Sequence, residues 1–190
     1  PLGLYGLTLG TMNLLFYQAI GRIPVGLAIA LEFTGPLAVA LWNSRHKLDL
    51  LWVALASAGL LLILPTRGLD APGALDPAGI AYALGAAVCW ALYIVFGQRV
   101  AQRYGRDATP MGMLVAALLV VPIGVADAGA LLLAPQWWLP GLAVALLSSA
   151  VPYALEIYAL KQLPRRVFSI LLSLEPVVGA LTGWLMLAEM

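Results

Sequence analysis

Apolar residues in this chain arrive in blocks separated by short polar punctuation. Seven runs stand out, over residues 2–20, 24–43, 48–64, 77–97, 109–126, 138–160 and 166–187. Each approaches the roughly 20 residues with which an α-helix crosses about 30 Å of hydrocarbon. The separators are Gly21-Arg22-Ile23 and then residues 43–47, 66–76, 98–107, 127–136 and 161–165. Two starts carry their own signal: Asp76-Pro77 and Thr109-Pro110 each put a capping side chain before a proline suited to the first helical turn. Trp137-Trp138 before the sixth run suits an interfacial anchor. The pattern predicts an all-α polytopic membrane bundle of about seven transmembrane helices.

Composition agrees. The 190 residues are 63% hydrophobic and 10% charged, against about 25% charged in soluble domains. The mean hydropathy is +0.97. A net charge of +1 gives no footprint for nucleic acid, so the lipid bilayer is the expected partner. The single cysteine, Cys89, lies in an apolar run, excludes an internal disulfide and suits a small buried position. The lone histidine, His46, sits between basic residues with no second ligand nearby, so no metal site is expected. No phosphate-binding glycine loop, metalloprotease motif or Ser–His–acid set is present, and neither an enzyme nor a cofactor is expected. Any transport must then draw on an ion or substrate gradient.

Charges sort by loop. Arg45, Lys47, Arg99, Arg103, Arg106, Lys161, Arg165 and Arg166 fall on one side, and Arg22 and Arg67 on the other. The positive-inside rule puts the first set, and residue 1, in the cytoplasm, with residue 190 across the membrane. The chain also repeats. A shift of 140 sets Pro24 on Pro164, Pro36 on Pro176, Thr8 on Ser148 and Asn13 on Tyr153. It also sets Leu15, Ala19, Leu31, Ala40 and Leu41 on Leu155, Ala159, Leu171, Ala180 and Leu181. The matching elements are five helices apart, which reverses their direction and describes an inverted-topology repeat. On this reading residues 1–66 are the last three helices of one half, 67–76 a linker, and 77–190 four helices of the other half. The chain begins Pro1-Leu2-Gly3 and stops at Ala188-Glu189-Met190. It reads as a piece of a longer product, with two helices before it and one after.

Three acids, Glu32, Glu156 and Glu175, lie inside apolar runs that hold no Lys or Arg beyond Arg166 at the edge of the seventh. A carboxylate near the bilayer centre costs at least about 2.5 kcal/mol, so such groups turn inward and mark function. Glu32 shares an i, i+4 row with Ala28, Pro36 and Ala40; Glu175 shares one with Gly179 and Gly183. Small residues allow close helix contact, so both acids are expected to face the bundle and to bind an ammonium group, a proton, or both. Glu156 shares a face with Ser149, Pro152 and Tyr153. Pro36, Pro152 and Pro176 interrupt helices, and Pro36 frees the carbonyl of Glu32. Asn13, Tyr153, Trp90 and Tyr93 are further candidates for lining a cavity, whereas Tyr17, Gln18 and Tyr158 suit the interface. Gly79, Ala83, Ala87 and Ala91 form a small-residue row suited to packing.

The segments 30–41 (ALEFTGPLAVAL), 84–93 (LGAAVCWALY), 148–156 and Ser173-Leu174-Glu175-Pro176 resemble the EamA family of the drug/metabolite transporter superfamily. The resemblance covers essentially the whole chain. It implies ten helices in two inverted halves, of which this chain holds the third to the ninth. It further implies residence in the bacterial inner membrane and proton-driven export of small amino acids of the threonine or homoserine kind. Glu32 and Glu175 match acids of the family pattern. Export of other metabolites or drugs stays open, as does a non-transporting scaffold, though the short loops argue against the scaffold. Homo-oligomerisation is compatible with this plan.

Overall fold

A computed structural model describes residues 2–44, 51, 54, 55, 57–59, 76–172 and 174. Eight α-helices are delimited among them: α1 (Leu2–Ile20), α2 (Val25–Glu32), α3 (Thr34–Asn43), α4 (Pro77–Tyr104), α5 (Ala108–Ala128), α6 (Trp138–Val144), α7 (Val151–Gln162) and α8 (Arg165–Leu172). No strand occurs among the described residues. Four apolar segments are long enough to cross a membrane: Val25–Asn43, Pro77–Tyr104, Ala108–Ala128 and Pro135–Gln162. α1 matches them in length, at 19 residues, but carries Asn13, Tyr17 and Gln18. The chain is an all-α membrane helix bundle. Most of the expected third run and most of the seventh lie outside the described residues.

Local chemistry explains the boundaries. Asp76 caps α4, its carboxylate accepting from the Ala78 N–H at 3.1 Å, with Pro77 in the first turn. α4 does not stop at residue 97. Gln98 to Arg103 are all tolerated in a helix, so it runs on for 28 residues in all. It ends at Gly105, whose φ of +58° suits glycine alone. Arg99 and Arg103 are therefore helical, not loop, residues. Thr109 does not cap α5, because the helix already starts at Ala108 and Thr109 lies within its first turn.

The second run breaks where its proline requires. Pro36 cannot donate to the carbonyl of Glu32, and the helix parts at Phe33 into α2 and α3. Bonds from Phe33 N to Ile29 O (2.9 Å) and from Leu37 N to Phe33 O (3.2 Å) keep the two halves in line. The sixth run is divided too. A π-helical stretch, Ala145–Ala150, joins α6 to α7 just before Pro152. Ser148 Oγ donates back to Val144 O at 2.8 Å within it.

Glycines set the packing. α1 lies against α4 and α5, and α4 also meets α2, α3 and α7, while α3 meets α8. A Cβ on Gly6 would stand 2.5 Å from Val115 Cβ, and one on Gly112 would enter the Tyr5 ring. One on Gly35 would collide with the Ala87 carbonyl, and one on Gly79 would stand 2.7 Å from Ile23 Cγ2. Backbones at α1–α5 and α3–α4 are thus in near contact, which matters where lipid gives helices no hydrophobic reason to associate. The core gathers Tyr5, Leu9, Met12, Phe33, Trp90, Tyr93, Ile94, Ile157 and Leu160.

Candidate functional site

The polar groups of the bundle meet where α1, α4 and α7 come together. Asn13 lies part-buried on α1. Its side-chain amide donates to Leu9 O and to the Tyr153 hydroxyl, both at 2.9 Å. Tyr153, on α7, meets the Tyr93 ring edge-on at 5.9 Å. Tyr93, on α4, is fully buried, and its hydroxyl donates to Glu156 Oε2 at 2.9 Å. Asn13, Tyr153, Tyr93 and Glu156 therefore form one connected cluster spanning three helices. A carboxylate accepting a tyrosine proton inside a bundle makes a charge-assisted bond, of the stronger class.

Tyr5 joins this cluster. It is completely buried, and its ring stacks on Tyr93 at 5.3 Å between centroids. Its hydroxyl has no partner at hydrogen-bonding geometry among the described residues. The sequence reading passed over Tyr5. Its i, i+8 relation to Asn13, through Leu9, was the available signal, since that spacing keeps both on one helix face. Thr109 was also missed as a site neighbour: its hydroxyl lies 3.5 Å from Tyr153 O.

Glu32 occupies a second buried position. Only 8% of it is exposed, at the end of α2 beside the Phe33 break. Phe33 meets Trp90 edge to face at 5.7 Å, and Pro36 is fully buried. Thr34 Oγ1 donates to Leu31 O at 2.6 Å next to the break. Glu156 thus reaches α4 through Tyr93, and Glu32 directly precedes Phe33, which packs on Trp90 of the same helix. Gly79, Ala83 and Ala87 are buried on the same helix. Pro152 is half-buried near the start of α7. Tyr17, Gln18 and Tyr158 are exposed. Glu175, Pro176, Gly179 and Gly183 lie outside the described residues.

The charges of the bundle separate to its two ends. Arg22 approaches Asp76 at 3.8 Å and lies over the Tyr82 ring, at the start of α4. At the other end of α4, Gln98 donates to Leu163 O and Arg165 to Val95 O, both at 3.2 Å. Arg99, Arg103, Lys161, Arg165 and Arg166 belong to that end. Burial, and then the neighbouring Arg99, hold Arg165 below the ordinary arginine pKa.

Apolar helices that turn tyrosines, an amide and a carboxyl group toward one another, and carry their basic residues at their ends, define a polytopic membrane protein with a polar interior. Residues 77–190 match the EamA-like transporter family, and the chain belongs to that family. It is 51% identical over its whole length to the threonine/homoserine exporter RhtA of Salmonella typhimurium, in strains SL1344 and LT2. It is 50% identical over its whole length to the protein of that name from Escherichia coli K12. The chain spans 63% of the length of these relatives. No solved structure matches it significantly.

Proposed function

We propose that this chain forms the central part of a secondary exporter of small hydroxylated amino acids, such as threonine and homoserine, in the bacterial inner membrane. The observation that carries the reading is the pair of carboxylates inside apolar helices: Glu32, 8% exposed, and Glu156, bonded to the buried Tyr93. Neither has a Lys or Arg in its own run to neutralise it. An acid buried inside an apolar span suits a group that exchanges a proton for a cationic substrate head. When protonated, such a carboxyl is discharged and tolerates the interior. When deprotonated, it attracts an ammonium group. Glu175, by its place in the sequence, would be a third such acid.

Asn13 and Tyr153 offer the amide and hydroxyl that a substrate hydroxyl or carboxylate would need. The separation of charge to opposite ends of α4 supports residue 1 facing the cytoplasm, with the arginine-rich end inside. The relatives bear the name of threonine/homoserine exporters, which supports the substrate class.

The test is efflux of radiolabelled threonine from cells or inverted vesicles carrying the complete protein. Glu32→Gln, Glu156→Gln and Glu175→Gln should each preserve membrane insertion. At least one of the three should lower proton-dependent efflux about tenfold or more, equivalent to about 1.4 kcal/mol. If all three retain full proton-dependent efflux, the carboxylate mechanism is wrong.

A further inference from the structure

We propose that the Asn13–Tyr153 hydrogen bond lies on the pseudo-two-fold axis of the bundle and is the pivot about which its two halves exchange conformation. The proposal rests on the transport reading above and adds to it a particular pair of residues.

Three structural observations share one offset. Asn13 Nδ2 bonds Tyr153 Oη at 2.9 Å across 140 residues of chain. Thr8 Oγ1 donates back to Leu4 O, and Ser148 Oγ donates back to Val144 O, at 2.9 and 2.8 Å. Both members of the second bond stand 140 residues after those of the first. Finally, α2 begins at Val25 after Pro24, and α8 begins at Arg165 after Pro164. The offset first seen as matching letters thus recurs in hydrogen bonding and in a helix start.

Geometry supplies the next step. Under a two-fold rotation, the midpoint of any residue and its image lies on the axis. Most such pairs are far apart. A residue can touch its own image only where the axis passes between them, so the contact of Asn13 with Tyr153 places the axis between α1 and α7, which reach each other there through these side chains. In an inverted repeat, the second state of the transporter arises when the two halves trade conformations. That trade maps a contact between a residue and its image onto itself. The Asn13–Tyr153 contact therefore persists in both states. Contacts between residues that are not images of each other, such as Gln98–Leu163 and Arg165–Val95 at one end of α4, have no such protection and open in one state. Tyr93 touches the Tyr153 ring and binds Glu156, so the pivot also holds the carboxylate cluster in place through the cycle.

Pseudo-symmetry makes an unusual prediction. Exchanging the two partners re-creates the same bond in the opposite sense. Asn13→Tyr and Tyr153→Asn should each lower threonine efflux about tenfold or more at equal membrane abundance, and the double exchange should restore it to within about threefold of the parent. A second measurement guards against a misfolded exchange variant. In a Cys89→Ala background, a short thiol cross-linker joining Asn13→Cys to Tyr153→Cys should leave conformational exchange running, read as the threonine-induced change in amide hydrogen exchange at the two ends of α4, whereas one joining Gln98→Cys to Leu163→Cys should stop it. The pivot is overturned if the double exchange stays as inactive as the single variants while the central tether also arrests exchange. Failure of the parent protein to move threonine at all would instead defeat the transport reading, so the two can be told apart.

Discussion

Helix α1 and helix α5 lie side by side and obey opposite rules. α1 carries Thr8 and Asn13, yet it buries Tyr5, Gly6, Thr8, Leu9, Gly10 and Met12. α5 is more apolar, yet it exposes Leu114, Leu118 and Val121, each by more than half. The two longest spans repeat the contrast. In their most apolar windows, 39% of the Pro77–Tyr104 span is buried in the bundle, against 6% of Pro135–Gln162. A soluble protein would place its polar groups outside and its leucines within. Here the surroundings are hydrocarbon, so leucine is the surface residue, and the hydroxyls and amide go where other polar groups can satisfy them. Polarity is therefore the better guide to the interior, and close backbone approach, not greasiness, holds the interior together.

The sharpest way to break that contrast is to add bulk. Gly35→Leu drives a side chain into the Ala87 carbonyl and should destabilise the bundle by about 3 kcal/mol or more. Gly141→Leu, on α6 with nothing within 4 Å of its Cβ position, should leave thermal stability in detergent unchanged or raised. Equal losses from both would show that the outer helices pack as tightly as the inner ones. Next comes charge. Leu118→Lys, mid-way along α5 and 72% exposed, should cost about 2.5–3.5 kcal/mol of membrane insertion. A translocon insertion assay would read this, and no penalty would mean that face lines water and not lipid. The smallest expected effect is inside. Tyr93→Phe removes the donor to Glu156 and should cost about 1.5–3 kcal/mol if the carboxylate is ionised. An equal loss in a Glu156→Gln background would show that the two side chains are not coupled, as a double-mutant cycle would reveal.

Much of this arrangement is legible along the chain, and the remainder is not, for physical reasons. Spans are legible because hydrocarbon demands a fixed length of apolar helix. The start at Asp76-Pro77 is legible because capping is local. The break near Glu32 is legible because Pro36 acts four residues away. The Thr109-Pro110 signal misled, since the turn over Gly105–Asp107 already fed the chain into α5 and left no end there to cap. The run-on of α4 past residue 97 was hidden by polarity: Gln98, Arg99 and Arg103 read as loop when they are the wet end of a helix. The cluster itself could be named only in part. Tyr93 and Glu156 are 63 residues apart, and what joins them is the rotation of α4 against α7, which no local pattern encodes. Tyr5 is not legible locally, because what buries it is its stacking on Tyr93 of another helix.

The π-helical stretch over Ala145–Ala150 bears on how this protein can change in evolution. Such a stretch stores one surplus residue within an otherwise α-helical span. Deleting a single residue there would let the span close into ordinary helix with everything beyond it pointing nearly as it does now, whereas closing the stretch with all its residues kept would turn everything beyond it by about 100° relative to Trp138. Only in that second case would Tyr153 and Glu156 swing away from Asn13 and Tyr93, with no change to either residue. The surplus residue thus fixes the aim of the interior, and a related chain one residue shorter here should still bring Tyr153 and Glu156 to the same neighbours.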